Sequence, residues 1–317
     1  MVEYRSFCNA DPPQLVSLWH ECGLGRGAAS GFSTDAFESL NFSQTYFEPE
    51  GLVVACDGSR PVGFAHAGFG PNEDRSALDR ECGIVCAVMV HPEYRRQGIG
   101  RNLIERAQGY LHKSGAKTII AGPDGRQAPF YVGVYGGTEP DGFLESDPDA
   151  APFLAAVGYE QTARHAIYQR DLPGQGDPIS VRLIGLRRKM EIMIDDQTNQ
   201  LDWWWLTRFG KLESLSFLLV PKGGGEPVAA ATVIGLDLYL QEWEERAIGI
   251  TDLLVKDADR RKGYGQAIVL EICRRLKGEL VTRVEAHTPE SDEIVLGLLE
   301  SSGFTRVDTG IVYRRNE

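Results

Sequence analysis

Two stretches of the chain carry residues whose types and spacing suit anion binding. They are Val88-Met89-Val90-His91-Pro92-Glu93-Tyr94-Arg95-Arg96-Gln97-Gly98-Ile99-Gly100-Arg101 and Leu253-Leu254-Val255-Lys256-Asp257-Ala258-Asp259-Arg260-Arg261-Lys262-Gly263-Tyr264-Gly265-Gln266. Arg95 matches Arg260, Gly98 matches Gly263 and Gly100 matches Gly265, each at an offset of 165 residues (260 − 95, 263 − 98, 265 − 100). In both, apolar strand residues run into a glycine turn that opens a helix. The first N–H groups of a helix lack internal partners and sit at the positive end of its dipole, so a diphosphate placed there gains hydrogen bonds and favourable charge. Glycine tolerates the left-handed backbone and the close approach of a ligand that such a cradle requires. Arg95, Arg96, Arg101, Arg260, Arg261 and Lys262 add positive charge at the same places. Neither a P-loop pattern nor a GxGxxG opening a helix is present.

The elements that must position these turns follow in order. Val2 to Phe7 alternates like a strand, and Asp11-Pro12-Pro13 opens a helix with Leu15, Leu18, Trp19 and Cys22 on one face. A Gly-rich loop leads to a short helix near Thr34 to Leu40. Leu52 to Cys56 and Pro61 to Phe69 flank Asp57-Gly58-Ser59-Arg60, a hairpin signal, and Ile84 to Val90 enters the first turn. Ile99, Leu103, Ile104, Ala107 and Leu111 line one face of the next helix, and Lys117 to Ala121 form the next strand. Asp171 to Pro178 has the Pro and Gly content of a linker. Beyond it, Ser180 to Ile184 and Met190 to Ile194 read as strands, Leu215 to Val220 and Val228 to Ile234 as a hairpin, and Ile248 to Val255 as the strand entering the second turn. Asp202 can cap a helix at Trp203-Trp204-Trp205. Three consecutive Trp cannot share one face, so part of that surface is expected to meet the first half or, in a homodimer, a second subunit.

The arginine, two residues, glycine, one residue, glycine spacing resembles the acyl-CoA pyrophosphate loop of the GNAT superfamily of N-acetyltransferases. Phe153-Leu154-Ala155-Ala156-Val157-Gly158-Tyr159 and Leu298-Leu299-Glu300-Ser301-Ser302-Gly303-Phe304 resemble the helix-to-turn segment that closes a GNAT domain. The resemblance implies an α/β chain with a mixed sheet, built as two tandem GNAT domains, residues 1–172 and 179–317. This plan is similar to that of tandem GNAT proteins such as mycothiol synthase, where one half is often catalytic and the other retained for structure or cofactor binding. It implies acetyl-CoA as co-substrate, no metal, and a primary amine of a small molecule or peptide as acceptor. Cofactor contacts would fall on Val88, Met89, Val90, Arg95, Arg96, Gln97, Gly98, Ile99, Gly100 and Arg101, and on Leu253, Leu254, Val255, Arg260, Arg261, Lys262, Gly263, Tyr264, Gly265 and Gln266. Strand amides around Val88 to Val90 and Leu253 to Val255 would bind pantetheine and the oxyanion.

The family's usual acid and base positions are not matched. A Tyr before the closing turn is replaced by Leu154 and Leu299, and a Glu on the strand before the loop by Ile84 and Gly249. These departures motivate a second reading, a non-catalytic acyl-CoA-binding or sensing protein. A thiol with a pKa near ~8.5 can leave without a dedicated acid, and a base can act through water from elsewhere. In the second half Asp252 precedes the loop, while Glu285 and His287, two apart on the next strand, share a face. His287 has the side chain best tuned for proton transfer at neutral pH. In the first half the candidates are Glu81, Tyr131, Tyr135 and Glu139, with solvent exposure or packing as their plain alternatives. Turnover is expected in the second half, whose central strands carry ionisable residues.

From each first loop glycine to the glycine of the closing turn, 158 − 98 is 60 and 303 − 263 is 40, so the first half carries about twenty extra residues between Gly122 and Ala150. This aromatic, Gly-rich insert either lines an acceptor site or packs over the sheet and the other half. The 317 residues suit two domains, and a net charge of −12 excludes a nucleic-acid partner. Without an apolar run of membrane length or an apolar leader, a soluble cytoplasmic protein is expected, with no membrane partner. The six cysteines are scattered without metal spacing and read as reduced thiols.

Overall fold

In each half a strand hairpin comes before the strand that enters the glycine turn, and that strand pairs with the hairpin. The computed structural model describes residues 2–195 and 202–315. The first half contains β1 (Val2–Ser6), α1 (Pro12–Glu21), α2 (Thr34–Asn41), β2 (Leu52–Asp57), β3 (Arg60–Pro71), β4 (Leu78–Val90), α3 (Ile99–Lys113), β5 (Thr118–Ala121), β6 (Phe143–Leu144), α4 (Ala150–Ala156) and β7 (Tyr159–Asp171). The second contains α5 (Val181–Lys189), β8 (Met190–Asp195), α6 (Trp203–Phe209), β9 (Ser214–Pro221), β10 (Ala229–Gly235), α7 (Leu240–Trp243), β11 (Ala247–Val255), α8 (Tyr264–Gly278), β12 (Arg283–Pro289), α9 (Glu293–Ser301) and β13 (Thr305–Arg315).

Residues 180–184, expected as a strand, instead open helix α5. The Ser180 hydroxyl accepts from the Leu183 N–H as an N-cap, and Arg187, Arg188 and Lys189 sit at the negative end of the helix. Trp203 and Trp204 do meet the first half. The Trp203 indole donates to the Arg75 carbonyl, and the Trp204 indole to the Arg126 carbonyl at 2.8 Å.

The strands join in one mixed sheet in the order β1-β2-β3-β4-β5-β13-β7-β12-β11-β10-β9-β8, with β6 on β13. The two closing strands are exchanged. β13, last in the second half, pairs with β5 of the first, and β7, last in the first half, pairs with β12 of the second. β7 and β13 also pair with each other from Thr305↔Gln169 to Arg315↔Tyr159, so the halves share main-chain hydrogen bonds at the centre.

Helices cover both faces. On one, α3 and α4 bury Leu103, Ile104, Leu111 and Leu154, while α8 and α9 bury Ile268, Ile272 and Leu299. On the other, α1, α2, the insert and α6 form one aromatic core that includes Trp19, Phe37, Tyr131, Trp205, Phe209 and Tyr239, and so crosses from half to half. Each fully buried large apolar side chain there is worth roughly 1.5–3 kcal/mol relative to exposure.

Candidate functional site

The two glycine turns have the same backbone. Arg96 and Gly98 have φ of 60° and 81°, and Arg261 and Gly263 have 60° and 86°. Each glycine caps a 15-residue helix, α3 or α8, and having no side chain leaves the first-turn amides without a side-chain cap. Left-handed residues just ahead of a helix start form a concave nest of N–H groups that suits an anion. The second glycine of each turn has a different reason to be glycine. A Cβ on Gly100 would stand 3.0 Å from the Phe153 ring of α4, and one on Gly265 2.6 Å from Leu298 of α9.

Above each turn the strands part. β4 pairs with β5 only as far as Val85↔Ala121, leaving Cys86 to Val90 beyond the last pair. β11 pairs with β12 only as far as Ile250↔Ala286, leaving Thr251 to Val255. The His91 N–H bonds the Val62 carbonyl, so strand alternation turns the Val88 and Val90 amides to the open edge. The Lys256 N–H bonds the Val228 carbonyl and turns the Val255 amide likewise. Both strands carry a bulge at this point, and in β11 it holds Asp252 at φ 53°.

Side chains around the turns differ. Arg95 braces the first, donating to the Val90 carbonyl at 3.0 Å, Asp149 at 2.9 Å and the Cys22 carbonyl at 2.8 Å. Its counterpart Arg260 is exposed and pairs with the nearby Asp257 at 2.8 Å. The second turn is instead crossed by Arg182 of α5, whose guanidinium donates to the carbonyls of Arg261 and Lys262. Arg101 reaches the Ala156 carbonyl, Gln97 the Glu93 carbonyl and Gln266 the Ser301 carbonyl, while Lys262 pairs with Asp259.

The insert runs into the space between the halves and brings carboxylates with it. Glu285 accepts from the Thr138 N–H at 2.7 Å, the Thr138 hydroxyl at 3.0 Å and Gln169 at 2.6 Å. His287 lies between Glu285 at 3.3 Å and Asp141 at 3.1 Å, with its side chain 3% exposed. Burial alone would lower the His287 pKa, but hydrogen bonds and charge from Asp141 and Glu285 win and push it up to about 10. It is therefore an imidazolium at neutral pH, with no lone pair to accept a proton. Burial raises the pKa of Asp141 and Glu285, but hydrogen bonds and charge, led by His287 and joined by His165 and Arg208 at Asp141 and by Gln169 and Thr138 at Glu285, together lower both, so both are ionised. His165 reaches Asp124 at 2.8 Å and Asp141 at 3.8 Å, and these carboxylates raise its pKa against burial. Beside this group, Glu139 pairs with Arg208 and accepts from the Thr251 hydroxyl at 2.9 Å.

These paired cradles have counterparts in known proteins. The model of the Acetyltransferase (GNAT) family matches residues 15–132 and again residues 186–304. The chain belongs to the GNAT acetyltransferase family. No curated protein matches it. Among solved structures it is similar to a tandem GNAT protein from the clavulanic acid biosynthesis pathway, at 17% identity and TM-score 0.68, covering 99% of this chain and 98% of that one. It is also similar to a GCN5-related glucosamine N-acetyltransferase region of a fungal multi-domain β-N-acetylglucosaminidase, at 16% identity and TM-score 0.72, covering 99% of this chain and 38% of that one. A GCN5-related N-acetyltransferase from Sphaerobacter thermophilus is 15% identical with TM-score 0.64, over 99% and 95%. At these identities the likeness is one of fold.

Within this GNAT chain the unmatched acid and base positions are packed shut. Leu154, Leu299 and Ile84 are buried in the cores. At Gly249, a Cβ would lie 2.3 Å from the Thr138 hydroxyl, so the insert fills the space a side chain would need. Glu81 is exposed, pairs with Lys117 at 2.5 Å, and stands about 15 Å along the strand from the point of parting. Tyr135 has its hydroxyl on the Leu144 N–H at 3.2 Å, and burial raises its pKa. The Tyr131 hydroxyl meets His66 at 3.0 Å inside the aromatic core. Asp252 alone of the candidates lies on a parted stretch, with Arg126 at 2.9 Å, the Trp205 indole at 3.1 Å and 8% of its side chain exposed. Sequence reasoning missed Asp141 and Thr138, signalled by nothing but the unexplained length of the insert, and His165 of β7 and Arg208 of α6, which carried no local signal.

Proposed function

We propose that the protein is an acetyl-CoA-dependent N-acetyltransferase that moves the acetyl group directly to a primary amine in a ternary complex, the amine belonging to a small molecule or a peptide. The observation that carries this reading is the matched pair of left-handed nests, each at the start of a helix and at the foot of a parted strand pair. In this reading the coenzyme diphosphate rests on the amides of residues 97–101 and 262–266. The pantetheine arm enters the strand opening, and the Val88, Val90 and Val255 amides face the thioester.

Turnover is assigned to the second half, with the first as a second acetyl-CoA site. Supporting this, the parted stretch of the first half is Cys86, Ala87, Val88, Met89 and Val90, whose one titratable group is a thiol that burial pushes far up. The second half has Asp252 at the same place. The neutral amine attacks the carbonyl carbon, the C–N bond forms, and the oxyanion collapses to break the C–S bond. The amine proton passes to Asp252 or to a water it holds, and the thiolate leaves without a dedicated acid. A second reading, coenzyme binding without turnover, is favoured by Leu154, Leu299, Ile84 and the blocked Gly249.

Thiol release from acetyl-CoA across a panel of amines tests both. Amine-dependent release that is lost in Asp252→Ala supports the proposal. Saturable acetyl-CoA binding with no amine-dependent release overturns it in favour of the second reading.

A further inference from the structure

Between the end of β7, the segment 172–177 that follows it, and the last turns of α8 lies a cavity of about 100 Å³. Arg170 forms its inner wall with a side chain only 1% exposed. The guanidinium reaches oxygen through Nη2, at 2.7 Å from Asp177 and 3.4 Å from the Gly176 carbonyl, while Nε and Nη1 are enclosed and meet no oxygen among the described residues, with the Cys273 thiol beside them. An arginine does not lose its charge inside a protein, and a buried donor left unpaired costs about 1–3 kcal/mol, more when it is charged.

The neighbours leave that charge uncompensated. Arg274 and Lys277 line the same cavity, and Arg187 approaches its rim. Asp177 is shared by Arg170, Arg187 and Arg274, and Glu271 by Arg187 and Arg274. Four cations thus face two carboxylates, in a protein whose net charge is −12. Cys273, also on the wall, adds no counter-charge, since burial outweighs Arg170 and pushes its thiol up to about 11.

The geometry points to a binding site for a small tetrahedral oxyanion, an inorganic phosphate or the phosphoryl end of a small monoester. The oxygens meet Arg274 and Lys277 in the cavity, and the enclosed Arg170 guanidinium stands behind them as a fixed charge. The volume admits the oxyanion group and not a nucleotide. The site is separate from the second cradle, because Cys273 lies about 15 Å along α8 from Gly263. Binding ties β7, the connecting segment and α8 together, and so stabilises the fold by mass action.

The test is calorimetric titration and thermal unfolding of the full chain with inorganic phosphate, with a small phosphomonoester, and with sodium chloride at matched ionic strength. Wild type is compared with Arg170→Met and with the double variant Arg274→Gln, Lys277→Gln, whose side chains lie at the rim. Saturable binding and a rise in Tm that chloride does not reproduce, weakened at least about tenfold in the double variant, is the expected result. Tighter binding of the monoester than of phosphate identifies the phosphoryl source, and equal or weaker binding identifies the free ion. Phosphate could also rest on the two cradles, but that binding is indifferent to Arg274 and Lys277. No saturable binding, or binding unchanged in the double variant, overturns the assignment. If Arg170→Met fails to fold, the double variant decides alone.

Discussion

Residues 7–51 of the first half supply α1 and α2, whereas the corresponding span of the second, residues 196–213, is less than half as long and supplies α6 among the described residues. The cradles beneath them share their backbone angles to within a few degrees. A cradle made of main-chain amides needs only glycines, a strand and a helix start, so it survives duplication while the side chains around it diverge. What diverged is the face opposite the cradle helices. The first half packs it with Trp19, Phe37 and Tyr131, and the second receives the first half's insert there, which leaves Asp252 at the edge with Arg126 and Trp205.

The largest expected effect tests which half turns over. Asp252→Asn should lower kcat by about 100- to 10,000-fold with little change in acetyl-CoA affinity, as for loss of a general base. Tyr131→Phe in the first half should leave kcat within about twofold, since it sits in a packed core. Equal losses from both would erase the distinction between the halves.

Next is the buried network that joins them. Asp141→Asn leaves the His287 imidazolium with one carboxylate and should cost about 3–5 kcal/mol of stability in chemical denaturation, the range for breaking a buried pair. The pH dependence has a definite sign. His287 has its folded pKa raised from 6.5 to about 10, so its contribution is fully present below about pH 6.5 and is lost as pH rises through 10. The stability advantage of the wild type over Asp141→Asn should therefore shrink across that window.

The cradles themselves are tested by stoichiometry. Valine at Gly98 or at Gly263 forces a left-handed β-branched residue into the nest, strain of about 1–3 kcal/mol, and should weaken one acetyl-CoA site roughly 10- to 100-fold while sparing the other. Calorimetry should then count one strong site in each single variant and none in the double. The smallest effect sharpens the contrast between the loops. Arg182→Ala should weaken only the second site, by about three- to tenfold, the loss of one charge-assisted brace.

Much of the local structure was legible from local rules. The hairpin at residues 57–60, the start of α1 at Pro12-Pro13 and the helices after Gly98 and Gly263 follow from turn chemistry and periodicity. Residues 180–184 misled because Val181, Leu183 and Ile184 have alternating and branched side chains, while the Ser180 cap that makes them helical competes at the same spot. The choice of His287 as a neutral proton carrier rested on an unperturbed pKa. The sequence placed Glu285 beside it, but Asp141 arrives from 146 positions away.

By itself the chain determined a duplicated cradle and the strands and helices that hold it, because glycine conformation, helix starts and apolar periodicity act over a few neighbouring residues. Only the tertiary structure decided that β7 and β13 trade places, that the insert occupies the space beside Gly249, and that His287 carries a charge. Those outcomes depend on which distant strand edge is free to pair and on how much water is excluded from a shared interior, and neither quantity is written in any short stretch of residues.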